Sequence, residues 1–559
     1  MTEFTLTLLD TSAIQRYIFD SNRLQENIGA SELVYRVTTL WVFDTLEKKQ
    51  FKHNIKNPRS LVDWGYEKEF QIDKTEDDNA VEVVYAAGGN TVLIFRKHEK
   101  AVEFTKAITL KVLQEAPGLT LLVQHLPFDW KKESLFDKCD KDGKVLEKGK
   151  RTILNEQMEK HKLSRMPSLP TLGLSVSATC ESTGLPAIGT NEKYRLGKDE
   201  SRLVSGETLA KLANRNFAND RLEMVIGDTK GYIFPYDIDM LGRISGEESY
   251  VAVIHADGNQ VGKHVKDAMV NKADNREYIN ASRSFSESLH IASISALREV
   301  IAQLIDAVIT DEKDGMKYIS GKVPLVKKSN IWHLPFRPLV FGGDDVTFLA
   351  NGQLGVELAT RYLNAFEKYT EKQGLKDFYA SAGVAIVKMH YPFARAYQLS
   401  EELTHSAKKF VKDKVKKDMS AVDWHFAQSG LSGSLDVIRE REYSFKRENA
   451  KGEKVKYQLN LRPLVLRDLI QSWQSVENIM SVFQDTKPWS ESHNKVIGLR
   501  EPLRNGARAV EQYRLNYDLP LLPDVAGDKA AQSGWLGAHC VYFDAIELLD
   551  HHVSLKVEA

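Results

Sequence analysis

The sequence predicts an α+β protein: two β-α-β-β-α-β units related by duplication, an inserted and mainly helical connector, and a C-terminal helical region. Three observations predict it. An apolar strand ending in an acid occurs twice, as Leu6-Thr-Leu-Leu-Asp10 and as Val251-Ala-Val-Ile-His-Ala-Asp257, each leading into a long helical stretch. Each copy continues into two apolar strands around a glycine pair, Gly88-Gly89 within 81–95 and Gly342-Gly343 within 338–349. The spacing also agrees, with 78 residues from Asp10 to Gly88 and 85 from Asp257 to Gly342.

A helix and a last strand close each copy, over about 101–124 and about 354–387. Each copy therefore reads as a ferredoxin-like unit. The first spans 1–135 and the second 246–426. Between them, 136–245 reads as an inserted connector, with a proline-containing stretch after Arg165 and a helix over 206–223. Its leading lysines (Lys131, Lys132, Lys138, Lys141, Lys144, Lys148, Lys150) and Arg151 read as a solvated face before an RNA site. Beyond, 427–559 reads as a C-terminal helical domain, with helical apolar spacing at Leu464–Trp473 and Tyr542–Leu549 and an interrupting loop at 484–495.

The bulk properties exclude several classes. In 559 residues, Lys+Arg 76 against Asp+Glu 77 leaves a formal charge of -1, so a general basic coat for nucleic acid is absent. The three cysteines, Cys139, Cys180 and Cys540, fit no zinc spacing and suit a reducing cytoplasm. No signal-peptide pattern opens the sequence, and no stretch approaches the roughly 18 apolar residues of a membrane span. The expectation is a cytoplasmic protein with no membrane partner.

The second copy carries the chemistry. In a β-α-β-β-α-β unit the third strand lies between the first and second, so the turn joining strands two and three sits beside the end of strand one. Phe341-Gly342-Gly343-Asp344-Asp345-Val346 would thus bring two acids to Asp257. Three crowded carboxylates repel one another unless a divalent cation neutralises them, and Mg²⁺ or Mn²⁺ takes oxygen ligands. Two such ions clamp the oxygens exchanged in phosphoryl transfer. The alternative for a lone Gly-Asp turn is an exposed hairpin; the third acid at a matching strand end favours the metal site. Gly258-Asn259-Gln260-Val261-Gly262-Lys263 then opens a helix whose free N–H groups suit phosphate, although Asn259 fits a cap equally. A lysine of the helix around Lys408 is within reach of a triphosphate, or else lies on a solvated face. His255 and His390 read as strand-end or packing residues. The first copy keeps Asp10 but shows Asn90-Thr91 opposite Asp344-Asp345, so it should bind metal poorly.

These residues resemble the large subunit of type III CRISPR effector complexes. Asp10-Thr-Ser-Ala-Ile-Gln, Asn27-Ile-Gly-Ala-Ser-Glu-Leu and Gly88-Gly89-Asn90 are similar to its first palm; FGGDDVTFLA, SAGVAIVKMHYPF, EELTHSAKK and Val422-Asp-Trp-His425 to its second; Cys180-Glu-Ser-Thr-Gly to the segment between. GGDEF-type cyclases are more distantly similar. The resemblance implies two palm domains packed face to face around two ATP molecules. It implies Asp257, Asp344 and Asp345 as ligands of two Mg²⁺ or Mn²⁺ ions, with the Gly258 carbonyl beside them. It implies phosphates near Gly258 to Lys263, Gly342, Gly343 and Lys408, and a base near Ser381. Asp10, Gly88, Gly89 and Asn90 would shape the palm interface or hold the second nucleotide. This sequence opens at the palm, where the family usually has an HD nuclease domain, and it lacks the paired-cysteine motif. Neither DNA cutting nor zinc is implied.

The function expected is a nucleotidyltransferase that makes a cyclic di- or oligonucleotide from nucleoside triphosphates, ATP first among them, in antiviral defence, with a downstream effector sensing the product. The alternative is a non-catalytic scaffold that binds RNA or CRISPR-type effector subunits.

Overall fold

The computed structural model describes residues 3–61, 64–87, 89–165, 176–196, 200–242, 249–427, 433–448 and 454–555. Gly88, and the proline-containing stretch after Arg165 as far as 175, lie outside the described residues. The first unit runs β1 (Glu3–Ser12), α1 (Ile14–Phe19), α2 (Leu24–Thr38), α3 (Leu40–Lys48), β2 (Lys52–His53), β3 (Ala80–Ala87), β4 (Asn90–Phe95), α4 (His98–Glu115) and β5 (Thr120–Asp129). Its sheet has the order β2-β3-β4-β1-β5. β4 lies between β3 and β1, antiparallel to both, and β5 is antiparallel to β1 on its other side. This is the ferredoxin-like order that the repeat predicts, with β2 added at the edge.

The connecting segment holds β6 (Lys138–Cys139), β7 (Val145–Glu147), α5 (Lys150–Ser164), β8 (Gly189–Thr190), β9 (Leu203–Val204) and α6 (Gly206–Ile226). It builds no large apolar cluster of its own among the described residues. Leu154 and Met158 of α5 join one face of the first sheet, while Ala218 and Leu222 of α6 join the two larger clusters. α6 crosses α2 so closely that a Cβ on Gly29 would fall 1.7 Å from the Lys211 carbonyl oxygen.

The second unit repeats the first: β10 (Tyr250–Gly258), α7 (Val261–Met269), α8 (Asn275–Asp306), five short strands β11 (Val308–Thr310), β12 (Lys317–Ile319), β13 (Val323–Pro324), β14 (Val326–Lys328) and β15 (Ile331–His333), then β16 (Phe336–Val340), β17 (Val346–Asn351), α9 (Gly355–Lys372) and β18 (Ala380–Lys388). After α10 (Phe393–Phe410), β19 (Ala421–Ala427) adds in parallel to β18. The sheet order is β16-β17-β10-β18-β19-β22, with β22 from the C-terminal region. Alternation along β10 divides the core. Ala252, Ile254 and Ala256 pack with α8 and α9, while Val251 and Val253 pack in the cluster shared with the first unit. Burial on both faces explains why this strand reads as an unbroken apolar run. α8 has the length and apolar content of a membrane span, with 56% of its most apolar window buried, and Leu297, Val300, Ile301 and Leu304 lie in the core. Its Tyr278 and Ile279 cover the first sheet against Leu6 and Leu8, which joins the two units face to face.

The C-terminal region holds α11 (Leu435–Tyr443), β20 (Ser444–Glu448), β21 (Lys454–Gln458), β22 (Leu464–Val465), α12 (Trp473–Asp485), α13 (His493–Gly498), α14 (Arg500–Asn505), α15 (Ala507–Asn516), α16 (Asp528–Ser533), β23 (Trp535–Leu536), β24 (His539–Cys540) and α17 (Phe543–Leu548). Two local expectations need correction. Leu464–Trp473 is not helical: Leu464 and Val465 pair with β19, and the helix starts at Trp473, capped by Ser472. The free edge of β19 overrides a spacing that suits either state. The loop at 484–495 contains a helical turn, Trp489–Glu491, and the start of α13. A small sheet, β20-β21-β24-β23, accompanies the helices.

Candidate active site

The register of β10 on β17 builds the site. Ala256 pairs with Val346, so Asp257 and Asp345 follow at the same sheet end, and the Gly258 N–H donates to the Asp344 carbonyl at 3.2 Å. Gly342 sits at φ +102, a region that disfavours side chains, and a Cβ there would meet the His290 ring at 3.0 Å. His290 of α8 holds the turn in place. Its Nδ1 lies 2.7 Å from the Gly342 carbonyl oxygen and its Nε2 lies 2.8 Å from that of Leu61 in the first unit. No sequence signal marked this histidine, because its partners are backbone atoms 52 and 229 residues away.

Charge is concentrated here. The Asp344 carboxyl is pushed up to about 6, first by burial and then by the neighbouring Asp257 and Asp345 carboxylates, with Lys408 opposing. The Lys408 ammonium lies 2.5 Å from Asp257 Oδ2 and 2.7 Å from the Gly258 carbonyl oxygen. His255 Nδ1 stands 3.2 Å from Asp345 Oδ1 and equally 3.2 Å from Thr347 Oγ1. Beyond that contact Asp345 Oδ1 has no hydrogen-bond partner among the described residues. Burial lowers the His255 pKa, yet Asp345, followed by Asp257 and Glu401, raises it overall.

The donor set is oxygen-rich and partly unsatisfied, which fits a hard divalent cation. Among the described residues, however, no three His, Cys, Asp or Glu side chains are drawn together tightly enough to hold an ion as they stand. The Lys408 ammonium supplies the positive charge at Asp257 instead.

The loop after Asp257 divides in two. Val261 and Gly262 of α7 line a cavity, and Lys263 is exposed. Asn259 does not cap α7. The cap position is Gln260, at φ 52 and without a side-chain cap. Asn259 is buried, donates to the Met419 carbonyl at 3.0 Å and accepts from Ser381 Oγ at 2.9 Å. Ser381 is 0% exposed, and its hydroxyl fixes this loop on β18.

Two cavities border the acids, one at Asp257 and the other at Asp344. One, of about 890 Å³, is lined by Asp257, Lys408, Lys409, Glu401 and His405. The other, of about 610 Å³, lies between the units and is lined by Gly342, Gly343 and Asp344, by Tyr85 and Asn90, and by Arg151 and Asn155 of α5. Arg151, grouped in the sequence with solvated lysines, turns inward and donates to Tyr85 Oη at 2.7 Å. Lys162 likewise pairs with Asp10 at 2.7 Å.

The first unit's turn differs from the expected alignment by one residue. Asp10 pairs with Asn90, and the Thr11 N–H donates to the Gly89 carbonyl at 3.0 Å, as Gly258 does to Asp344. Asn90 therefore corresponds to Asp345 and Gly89 to Asp344, with Thr91 corresponding to Val346. Ala87 pairs directly with Asn90, and this tighter hairpin has no room for a second acid. Gly89, at φ +81, would drive a Cβ to 2.6 Å from Ile14 Cδ1.

Residues 250–418 match the family model described as Cas10/Cmr2, second palm domain. No curated protein matches the chain. Among solved structures, the Csm1–Csm4 cassette in complex with cA4 is similar over 100% of this chain and 70% of that one, at 16% identity and TM-score 0.50. The same cassette in complex with pppApApA gives the same four values. Csm1 in T. onnurineus is similar over 99% and 70%, also at 16% identity and TM-score 0.50. Residues 250–418 are thus similar to the second palm domain of Cas10/Cmr2, and the chain shares the fold of Csm1.

Proposed function

We propose that this chain is a metal-dependent nucleotidyltransferase that joins nucleoside triphosphates, ATP first among them, into a cyclic di- or oligonucleotide messenger for antiviral defence. The observation that carries the reading is the position of the three acids. Asp257 borders one cavity and Asp344 the other, so two nucleotides can meet across the Gly342–Asp345 turn.

The 3′-hydroxyl of one nucleotide attacks the α-phosphate of the next. The new O3′–P bond forms as the bond to pyrophosphate breaks, and the hydroxyl proton passes to water. Asp257, Asp344, Asp345 and the Gly258 carbonyl would hold Mg²⁺ or Mn²⁺, which would supply positive charge to the attacking and leaving oxygens. Lys408, Lys263 and the N-terminus of α7 add positive potential for a triphosphate. The open side of Gly343 lets a nucleotide approach the turn, while Asn90, Tyr85 and Arg151 wall the second cavity. Positioning and electrostatics of this kind need no protein general base.

The related Csm1 structures contain cA4 or pppApApA and include Csm4. By extension, a partner subunit and an effector that senses the cyclic product belong to the proposal. The RNA-scaffold alternative loses support from the lysine-rich segment. Lys132, Lys138, Lys148 and Lys150 are paired with Asp129, Glu147, Glu156 and Glu133.

The test is turnover by purified protein with ATP, GTP and Mn²⁺ or Mg²⁺, read as pyrophosphate release and as product mass. Asp344→Ala/Asp345→Ala should abolish both. Undiminished turnover in that double variant would sink the assignment.

A further inference from the structure

The first palm reaches the acids by a second route, on the side of the sheet away from the 610 Å³ cavity. α1 of the first palm lies on α10 of the second. Phe19 stacks on Tyr397 with ring centroids 3.8 Å apart, and the Phe393 N–H donates to Asn22 Oδ1 at 2.8 Å. The exposed Gln15 donates its amide to the Glu401 carboxylate. The Tyr397 hydroxyl donates to the same Glu401 carboxylate at 3.5 Å. Its ring meets that of His255 edge-on at 5.6 Å. His255 closes the chain with its 3.2 Å contacts to Thr347 Oγ1 and Asp345 Oδ1. Tyr397 and His255 are 3% and 6% exposed, so they move little on their own.

The Asp345 side chain, by contrast, is 44% exposed, and its Oδ1 meets the His255 ring at 3.2 Å. A short side chain at a turn samples several staggered rotamers unless a neighbour selects one. His255 is the neighbour that selects, and α1 holds the residues behind it.

We propose that Gln15, Tyr397 and His255 form a brace through which the first palm sets the position of the Asp345 carboxylate. All three are positioning residues. This rests on the reading of Asp345 as a metal ligand and adds to it that the silent palm tunes metal affinity without touching the metal or the nucleotide. Groups that orient ligands from behind typically change metal affinity by about tenfold to a hundredfold when removed.

The experiment measures Mn²⁺ binding to the full chain by the electron paramagnetic resonance of free Mn²⁺, without nucleotide, so that turnover does not enter. His255→Leu should weaken binding about tenfold or more. His255→Asn should restore most of it, because the asparagine N–H donates from nearly the place of Nδ1. Gln15→Ala should weaken binding about twofold to thirtyfold, and this effect should vanish in a His255→Leu background, as coupling through one chain requires. Gln15 is exposed, so its variant reports even if His255→Leu fails to fold. Wild-type binding in Gln15→Ala, with binding lost in Asp344→Ala/Asp345→Ala, overturns the brace and leaves the metal site standing. Unchanged binding in the double aspartate variant overturns the site reading and the brace together.

Discussion

The Lys408 ammonium stands 2.5 Å from Asp257 Oδ2, and its other contact is the Gly258 carbonyl oxygen at 2.7 Å. A divalent cation ligated by Asp257 and Gly258 would claim the same two oxygens. Lysine and cation would therefore compete in the nucleotide-free protein, and the lysine would become available to a phosphate only on arrival of the cation.

Competition has a measurable sign. Lys408→Ala should bind Mn²⁺ more tightly than the wild type when nucleotide is absent. The same variant should show a KM for ATP raised about tenfold or more, the scale of one lost charge-assisted hydrogen bond. Manganese titration and steady-state kinetics on one preparation separate the two effects. Weaker Mn²⁺ binding in the variant would mean that the lysine supports the ligands.

The Asp344 carboxyl gives a pH prediction. Burial, then Asp257 and Asp345, push it up to about 6 in the metal-free fold. The native state therefore keeps a proton that the unfolded chain, with an ordinary Asp value near about 4, has already lost. Stability contributed by this group falls as pH rises from about 4 through about 6 and stays low above. With metal chelated, Asp344→Asn should melt at a higher temperature than the wild type at pH 7.5, and the difference should vanish near pH 4. Added Mn²⁺ should raise the wild-type melting temperature and leave that of the variant unchanged. Calorimetry across pH checks both, and equal melting temperatures at pH 7.5 would contradict the burial of the charge.

The silent palm should resist conversion into an active one. Gly89 stands where the second palm has Asp344, but at φ +81 and with Ile14 Cδ1 only 2.6 Å and Thr11 Oγ1 2.9 Å from any added Cβ. Gly89→Asp should destabilise the protein by about 1–3 kcal/mol through backbone strain and overpacking. It should create no second Mn²⁺ site. Urea denaturation and manganese titration read the two outcomes separately.

The two palms, their strand order and the meeting of Asp257 with the Asp344-Asp345 pair were legible because each palm repeats the same alternation and turn. The equivalence of the turns was legible only to within one residue. Aligned glycine pairs do not reveal that Ala87 pairs directly with Asn90. Asn259 and Ser381 hydrogen-bond each other at 2.9 Å, a pairing across 122 residues that the sequence does not display. His290, Lys162 and Arg151 were not legible as site residues. Their partners lie far along the chain, and in composition they resemble any other helical histidine, lysine or arginine. The C-terminal strand at Leu464–Val465 was hidden for a related reason, since its state depends on the free edge of β19.

Arg151 offers a test that the working pocket extends beyond the second palm. It comes from α5, outside either ferredoxin-like unit, yet lines the same 610 Å³ cavity as Asp344. Its donors go to Tyr85 Oη at 2.7 Å and Asn155 Oδ1 at 2.6 Å, and no carboxylate among the described residues forms an ion pair with it. An arginine held by two neutral groups keeps its full charge for an incoming anion. Lys162 differs, because Asp10 already neutralises it at 2.7 Å. Arg151→Ala should therefore raise the KM for ATP about tenfold or more with Mn²⁺ binding unchanged, whereas Lys162→Met should alter KM far less. Arg151→Lys should rescue only partly, since an ammonium cannot reproduce the planar fork of donors. If Arg151→Ala left KM at the wild-type value while Asp344→Ala/Asp345→Ala abolished turnover, nucleotide binding would not draw on the α5 wall of the cavity.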